Sequence, residues 1–461
     1  MTPMNTQMKT FNSSICRILF ATCLSALCFI ALRTQAATIT VTTTTNSGAG
    51  SLRQAIADAR NGDRIDFGVA GTITLGTDEL LVDKSITISG PGSDNVTVAA
   101  SGYSHVFHVS GGVSATIAGL TITNGDGELE YLPGGGIYND HSTLTVDKCT
   151  VTGNYSPGRG GGAYNDGSNG SATLTVTNST FSNNNGNLAG PSRGGAVHND
   201  AYFGSAALIV NSSTFTNNSA YQGGAIYNGG GTVTIQDTIL NGGVLGENLY
   251  NSSGSVSSLG YNLSNDNGSG FLTATGDQIN TDPMLGPLQD NGGPTFTHEL
   301  LAGSPAIDAG DPSFTPPPNY DQRGSGFQRV FNGRVDIGAF EVQPPTPSYA
   351  AQVQPPINPD GTSTFSVRRG VVPVKFTLTQ GGVATCDLPP ATIAVTRTAG
   401  GVIGEINESV YSGNADTGSN FRIDSCQYVY NLNSRALGVG TYRVDILING
   451  QVVGNAVFAL N

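Results

Sequence analysis

The sequence predicts an all-β chain: a right-handed parallel β-helix followed by a small C-terminal β-sandwich. Two observations point to the β-helix and one to the sandwich. A glycine-rich phrase recurs at Gly134–Asn139, Gly160–Asn165, Gly194–Asn199 and Gly223–Asn228, its starts separated by 26, 34 and 29 residues. Each copy is followed by an apolar phrase of strand length, Leu144-Thr-Val146, Leu174-Thr-Val176, Leu208-Ile-Val210 and Val233-Thr-Ile235. Ala115-Thr-Ile117 is an earlier copy without a clear glycine phrase. Repeats of this length, with strand-like phrases and no helical period, mark a β-solenoid whose units stack to bury a shared core. The third observation is the tail from residue 358, where six or seven alternating strands fall within about 100 residues, as in a sandwich.

Taken in order, residues 1–36 predict a signal peptide. Lys9 and Arg17 precede the apolar run Ile18–Leu32, and Thr34-Gln35-Ala36 offers a small residue at the cut. That run fits a signal h-region better than a membrane span. Its removal takes three basic and no acidic residues from a chain of net charge −13, leaving −16. So acidic a surface disfavours nucleic acid and anionic lipid, and no later segment spans a bilayer. Thr38–Thr45 starts the fold. Leu52, Ile56 and Ala59 are spaced as on a helix, which is expected to cover the open end of the solenoid. Rungs then follow through residues 37–280 as strands at 63–69, 71–75, 79–82, 85–89, 96–99 and 105–109 and through the repeats. About 25 residues per rung gives roughly nine rungs and a rod some 40–45 Å long.

The 64 glycines fall in register, so they are assigned to the corners, where a positive φ is needed. The prolines of Asp282–Pro294 exclude interior strands. Residues 281–343 are expected to form a C-terminal cap held by arginine–carboxylate pairs among Asp308, Asp321, Arg323, Asp336 and Glu341. A Pro-rich linker (344–357) and the sandwich (358–461) complete the chain. Cys149 takes an inward slot held elsewhere by Leu120, Ser179, Ser213 and Thr238, as a buried free thiol. Cys386 and Cys426 lie together in the tail, and export permits a disulfide between them.

Four segments resemble known families. Ser51-Leu-Arg-Gln-Ala55 resembles the Cys-Ser-Leu-Arg-Glu-Ala motif that opens many bacterial exported β-helix proteins, with Gly50 in place of Cys and Gln54 in place of Glu. The Gly-Gly-Ala-Ile phrases, with Phe181-Ser-Asn-Asn184 and Phe215-Thr-Asn-Asn218, look like the repeats of polymorphic outer-membrane proteins. Residues 282–341 resemble the choice-of-anchor Q domain of surface proteins. The tail, with Pro373-Val-Lys-Phe376 and its two cysteines, resembles the PxKF domain of bacterial extracellular proteins. These resemblances imply export and a cell-surface or extracellular place, and they imply little chemistry.

The expected function is binding or adhesion, to a glycan or another surface partner, by a monomer without metal or cofactor. The alternative is a polysaccharide lyase or hydrolase acting on an acidic glycan along a pectin-lyase-like rod. A lyase needs a basic group and usually Ca²⁺ held by carboxylates. The catalytic candidates are Asp140, Asp166 and Asp200, each following a ladder asparagine, with Arg159 and Arg193 before two glycine phrases. Glu128, Glu130, His141 and His198 lie near in sequence. Against catalysis, Asn-Asp after a strand is ordinary turn chemistry, and Gly229 replaces the aspartate in the fourth repeat. Asn139, Asn165, Asn199 and Asn228 are expected to form a structural amide ladder. Tyr138, Tyr164, His198 and Tyr227 form a column read either as an exposed strip for sugar rings or as a flank covering apolar surface.

Overall fold

The computed structural model describes residues 36–461 apart from 92–94, 102–103, 128–132, 188–189, 344–348, 407–415, 417 and 449–450. The predicted signal segment, except Ala36, and Glu128 and Glu130 therefore lie outside the described residues. The chain divides into two compact units, Met1–Gln343 and Pro344–Asn461.

The first unit is a parallel β-helix whose rungs each present three faces. Face A stacks Leu80–Val82, Phe107–Val109, Ile137–Asp140, Ala163–Asp166 and Val197–Asp200. Face B runs from Thr38–Val41 through Arg64–Phe67, Thr87–Ser89, Ser114–Ala118, Thr143–Asp147 and Ser171–Thr177 to Ser205–Asn211. The continuous strands Ile226–Gln236 and Leu249–Gly260 belong to both faces and join them into one 14-stranded sheet. Face C is an eight-stranded sheet from Gly71–Thr74 to Leu263–Ser264.

The repeated apolar phrases set the register. Leu144 pairs with Leu174, Leu174 with Leu208, and Leu208 with Val233, and Val146, Val176, Val210 and Ile235 align likewise. All eight are buried in one continuous core. Alternation places these side chains inward and the intervening Thr145 and Thr175 outward. Phe181 and Phe215 stack inside the rod at 5.0 Å between ring centroids.

The expectation that glycine turns the corners holds at the entry to face A. Gly134, Gly160, Gly194 and Gly223 lead into face A at φ between 64° and 74°. The next glycine is needed for closeness: a Cβ on Gly135 would stand 2.2 Å from the Tyr155 carbonyl oxygen. Between faces B and C the left-handed residue is Gly119, Lys148, Asn178, Ser212 or Asp237 on successive rungs, and after face C it is Asn124, Gly153, Asn183 or Asn217. Short polar side chains, which bond locally, hold most of these positions.

The helix Leu52–Asp58 starts at Ser51, whose side chain accepts from the Gln54 amide, and buries Leu52, Ala55 and Ile56. Arg53 donates to the carbonyls of Glu79 at 2.6 Å and Asp78 at 2.8 Å, tying the helix to the rod. Among the described residues no helix is long and apolar enough to cross a membrane.

Residues 281–343 also pack along the side of the rod, beyond the end that the word cap implies. Gln322 donates to Thr150 Oγ1 at 3.0 Å and accepts from Thr180 Oγ1 at 2.6 Å, while the Ala339 amide donates to Thr214 Oγ1 at 3.0 Å. Ile337 and Phe340 pack with Ile239 and Leu263. The outward threonines of face C thus find partners in this segment. Within it Arg323 pairs with Asp321 at 2.6 Å, both buried, and sits over the rings of Phe327 and Phe340.

The second unit is a β-sandwich of two five-stranded sheets. One pairs Tyr349–Gln354, Val371–Gln380, Gln427–Asn433 and Arg422–Asp424, with Val383–Thr385 beside Val371–Gln380. The other contains Ser363–Phe365, Gln451–Leu460, Gly440–Ile448, Ala391–Ala399 and Gly404–Ile406. Tyr349–Gln354 falls in the span expected as linker but is a strand, because Tyr349, Ala351 and Val353 alternate onto the sandwich core. Cys386 and Cys426 are disulfide-bonded, with Cα atoms 5.1 Å apart. Cys149 is a free, buried thiol.

Candidate functional site

Parallel pairing stacks like residues on like. On face A it aligns His108, Tyr138, Tyr164, His198, Tyr227 and Tyr250, with neighbouring ring centroids 4.6–5.7 Å apart. One residue on, Asn139, Asn165, Asn199, Asn228 and Asn251 form an amide column, buried except at Asn251. Each Nδ2 donates to the next Oδ1, at 2.7, 2.7, 2.9 and 2.8 Å. The column begins where Asn139 meets Val109, so Asn139 Oδ1 has no partner. A second amide column, Asn154, Asn184 and Asn218, links the rungs after face C at 2.9 and 3.0 Å.

The aspartates Asp140, Asp166 and Asp200 are also in register. Asp166 and Asp200 each accept from the backbone amide two residues on, which is turn chemistry. Their outer oxygens take the hydroxyl of the preceding rung: Tyr138 donates to Asp166 at 3.0 Å and Tyr164 to Asp200 at 2.8 Å. Burial and the facing carboxylates raise the pKa of both tyrosines, which stay protonated donors. Arg159 adds a bond to Asp200 at 2.9 Å. Asp140 is bonded by His141 and lies 3.6 Å from His108. Burial pulls the His108 pKa down, but Glu79 at 2.7 Å and Asp140 bring it above the ordinary imidazole value.

The candidate set is therefore partly gathered. Asp140, His141 and Asp166 bring ligand atoms within 4.8 Å of one another, and they are the residues that could hold a cation. Each is already bonded within the chain, His141 also to the Ser168 carbonyl at 2.6 Å. The aromatic column divides between its two expected roles. Tyr164, His198 and Tyr227 are buried and cover the flank, while His108, Tyr138 and Tyr250 are half-buried.

Arg159 and Arg193 pair in register on the loops over this column, yet they differ. Arg159 has a carboxylate; Arg193 has none among the described residues, its Nε is buried without a partner, and its guanidinium lies 5.3 Å from the Tyr227 ring centre. Beside them is a concavity of about 360 Å³, lined by both arginines, Ser168, His198, Asp200, Tyr202, Tyr227, Gly229, Ser252 and Ser253. Of these Tyr202 is 63% exposed, and the ring of its neighbour Phe203, 80% exposed, has its centroid 4.3 Å away. Sequence reasoning missed this pair. The signal was present in two adjacent large aromatics between a turn aspartate and a glycine, where no strand needs them.

Residues 212–229 match the Chlamydia polymorphic membrane protein (Chlamydia_PMP) repeat. The match runs from the corner after face B through the face C strand Thr214–Thr216 to the face A part of Ile226–Gln236, which is less than one circuit of the rod. It holds the left-handed corners Ser212, Asn217 and Gly223, the core Phe215 and the ladder residues Asn218 and Asn228. Those positions build the solenoid, so the likeness concerns architecture. No curated protein matches the chain.

Proposed function

We propose that the chain is an exported, surface-associated binding protein that takes glycans on the flank of its β-helix, at the cleft beside Tyr202 and Phe203. The observation that carries this is the exposed pair of touching aromatic rings, one of which, Tyr202, lines a concavity holding two arginines. Large exposed rings beside directed polar groups suit sugar, whose faces are apolar and whose edges bear hydroxyls. The membrane-protein repeat supports a surface location, as do the signal-like residues 1–36 and the resemblance of 281–343 and 358–461 to surface and extracellular domains. Against catalysis, Asp140, Asp166 and Asp200 are all engaged by donors of the chain itself.

The test is binding of residues 37–461 to a panel of neutral and acidic glycans, with and without Ca²⁺. Binding that weakens in Tyr202→Ala/Phe203→Ala supports the proposal; binding to none of them overturns it. Unsaturated product absorbing in the ultraviolet would replace it with the lyase.

A further inference from the structure

The flank of the rod repeats a ring-to-aspartate bond between rungs, and its carboxylate is then missing on two successive rungs. On two successive rungs an aromatic residue of face A donates to an aspartate one rung on: Tyr138 to Asp166, then Tyr164 to Asp200. The next ring of the column is His198, and the residue that follows the ladder asparagine on its next rung is Gly229. A bulge there sets Gly230 opposite Asp200, so neither residue able to take the place carries a carboxylate. After Tyr227 the corresponding residue is Ser252, so the carboxylate is missing again.

The groups that would receive it are in place. His198 is 1% exposed, and its Nδ1 has no hydrogen-bond partner. Burial, then Arg159 and Arg193, hold its pKa well below the ordinary value, so the ring is neutral. Arg193, the register mate of Arg159, has no carboxylate among the described residues, whereas Arg159 bonds both Tyr164 and Asp200. A Cβ built on Gly229 would stand 3.3 Å from His198 Nε2 and 3.3 Å from Tyr227 Cε1, so the glycine backbone lies close against both rings. Gly229, His198, Tyr227 and Arg193 all line the cleft of about 360 Å³. A buried polar atom without a partner and a half-buried guanidinium without a counter-charge are each costly. A ligand carboxylate placed there satisfies the arginine and restores the pattern of the rungs before it.

We infer that the cleft at Arg193, His198, Tyr227 and Gly229 binds the carboxylate of an acidic saccharide, a uronate, whose ring rests on Tyr202. The saccharide is favoured over an acidic peptide by the exposed Tyr202 in the cleft lining, with the Phe203 ring beside it. The inference rests on the glycan-binding reading and adds the charge to it. Asp200 is the one acidic side chain of the cleft; it is occupied by Arg159 and Tyr164 and limits the site to a single carboxylate.

The experiment is titration of residues 37–461 with an oligogalacturonate, with the same oligomer fully methyl-esterified, and with an oligo-glutamate peptide. The expected result is binding of the free acid, with about tenfold or greater loss on esterification and in Arg193→Gln. Gly229→Asp supplies the carboxylate internally and should lose as much. Gly229→Ala controls for volume and should retain binding. Equal affinity for acid and ester, or undiminished binding in both Arg193→Gln and Gly229→Asp, overturns the inference and leaves glycan binding standing. Binding of the peptide alone, or of nothing, overturns both.

Discussion

Replacing Asn165 by alanine should destabilise the rod by about 3 kcal/mol. Asn165 sits in the middle of the amide column and is fully buried. Its Nδ2 donates to Asn199 Oδ1 at 2.7 Å and to the Ala207 carbonyl at 3.1 Å, and its Oδ1 accepts from Asn139 at 2.7 Å. Truncation leaves Asn199 Oδ1 without its donor, a buried orphan costing about 1–3 kcal/mol. Asn139 Nδ2 keeps Ser142 and Thr173, at 3.0 and 3.1 Å, so its loss is smaller, about 1 kcal/mol. The comparison is Asn251→Ala at the far end of the column. There Asn228 Nδ2 keeps the Gly231 and Ser253 carbonyls at 2.9 and 3.2 Å, and the expected cost is below about 1 kcal/mol. Urea unfolding of both variants, with the midpoint shift multiplied by the parent slope, gives the two numbers. Equal losses, or a loss below about 1 kcal/mol for Asn165→Ala, would show that the column does not act through buried amide satisfaction.

Cys386→Ser/Cys426→Ser should lower the stability of the sandwich by about 4 kcal/mol, the loop entropy of a 40-residue closure; an unchanged unfolding midpoint contradicts this. Burial pushes the Cys149 thiol up to about 12, so a thiol reagent should label it only on unfolding, and prompt labelling of the native protein refutes the buried slot. The third concerns Glu341, which burial and the charge of Asp336 raise from an ordinary 4.5 to about 8, and Asp336, which burial raises from 3.8 to about 6. The folded state holds these protons longer than the unfolded one. Their contribution to stability is therefore full below about pH 4 and lost as pH rises through about 8, at no more than about 1.4 kcal/mol per unit for each proton. Urea midpoints of the parent should fall between pH 5 and 8 more steeply than those of Glu341→Gln, and identical slopes would refute the shift.

The rod was legible because its code is periodic. Leu144, Leu174, Leu208 and Val233 recur at the same place in each phrase, and parallel stacking turns that recurrence directly into register. Asn139 to Asn228 and Asp140 to Asp200 could be aligned for the same reason. Alignment gave the columns but no depth. Whether Tyr164 faced solvent depended on the Arg159 loop lying over it, and loop paths carry no period. The corners misled for a different reason: Asn178, Ser212 and Asp237 adopt the left-handed conformation that was assigned to glycine alone. The strand Tyr349–Gln354 was hidden by the prolines on either side of it. At the cleft, the replacement of aspartate by Gly229 was visible as an ended ladder. Its meaning needed the geometry of His198 and Arg193, which neither residue type announces.

The segment that folds back over face C changes how the rod comes apart. In a bare solenoid each rung touches only its neighbours, so melting can begin at an end and travel rung by rung. Gln322 bonds Thr150 and Thr180, His298 meets Ser182 at 3.0 Å, Ala339 bonds Thr214, and Ile337 and Phe340 pack with Ile239. One stretch of chain thus grips four successive circuits at once, and fraying of the last circuit must break its hold on the others. The C-terminal half of the rod should behave as a single cooperative block, sealed only after residues 281–343 have been made, while the circuits nearer the helix at Leu52–Asp58 keep the freedom to open one at a time.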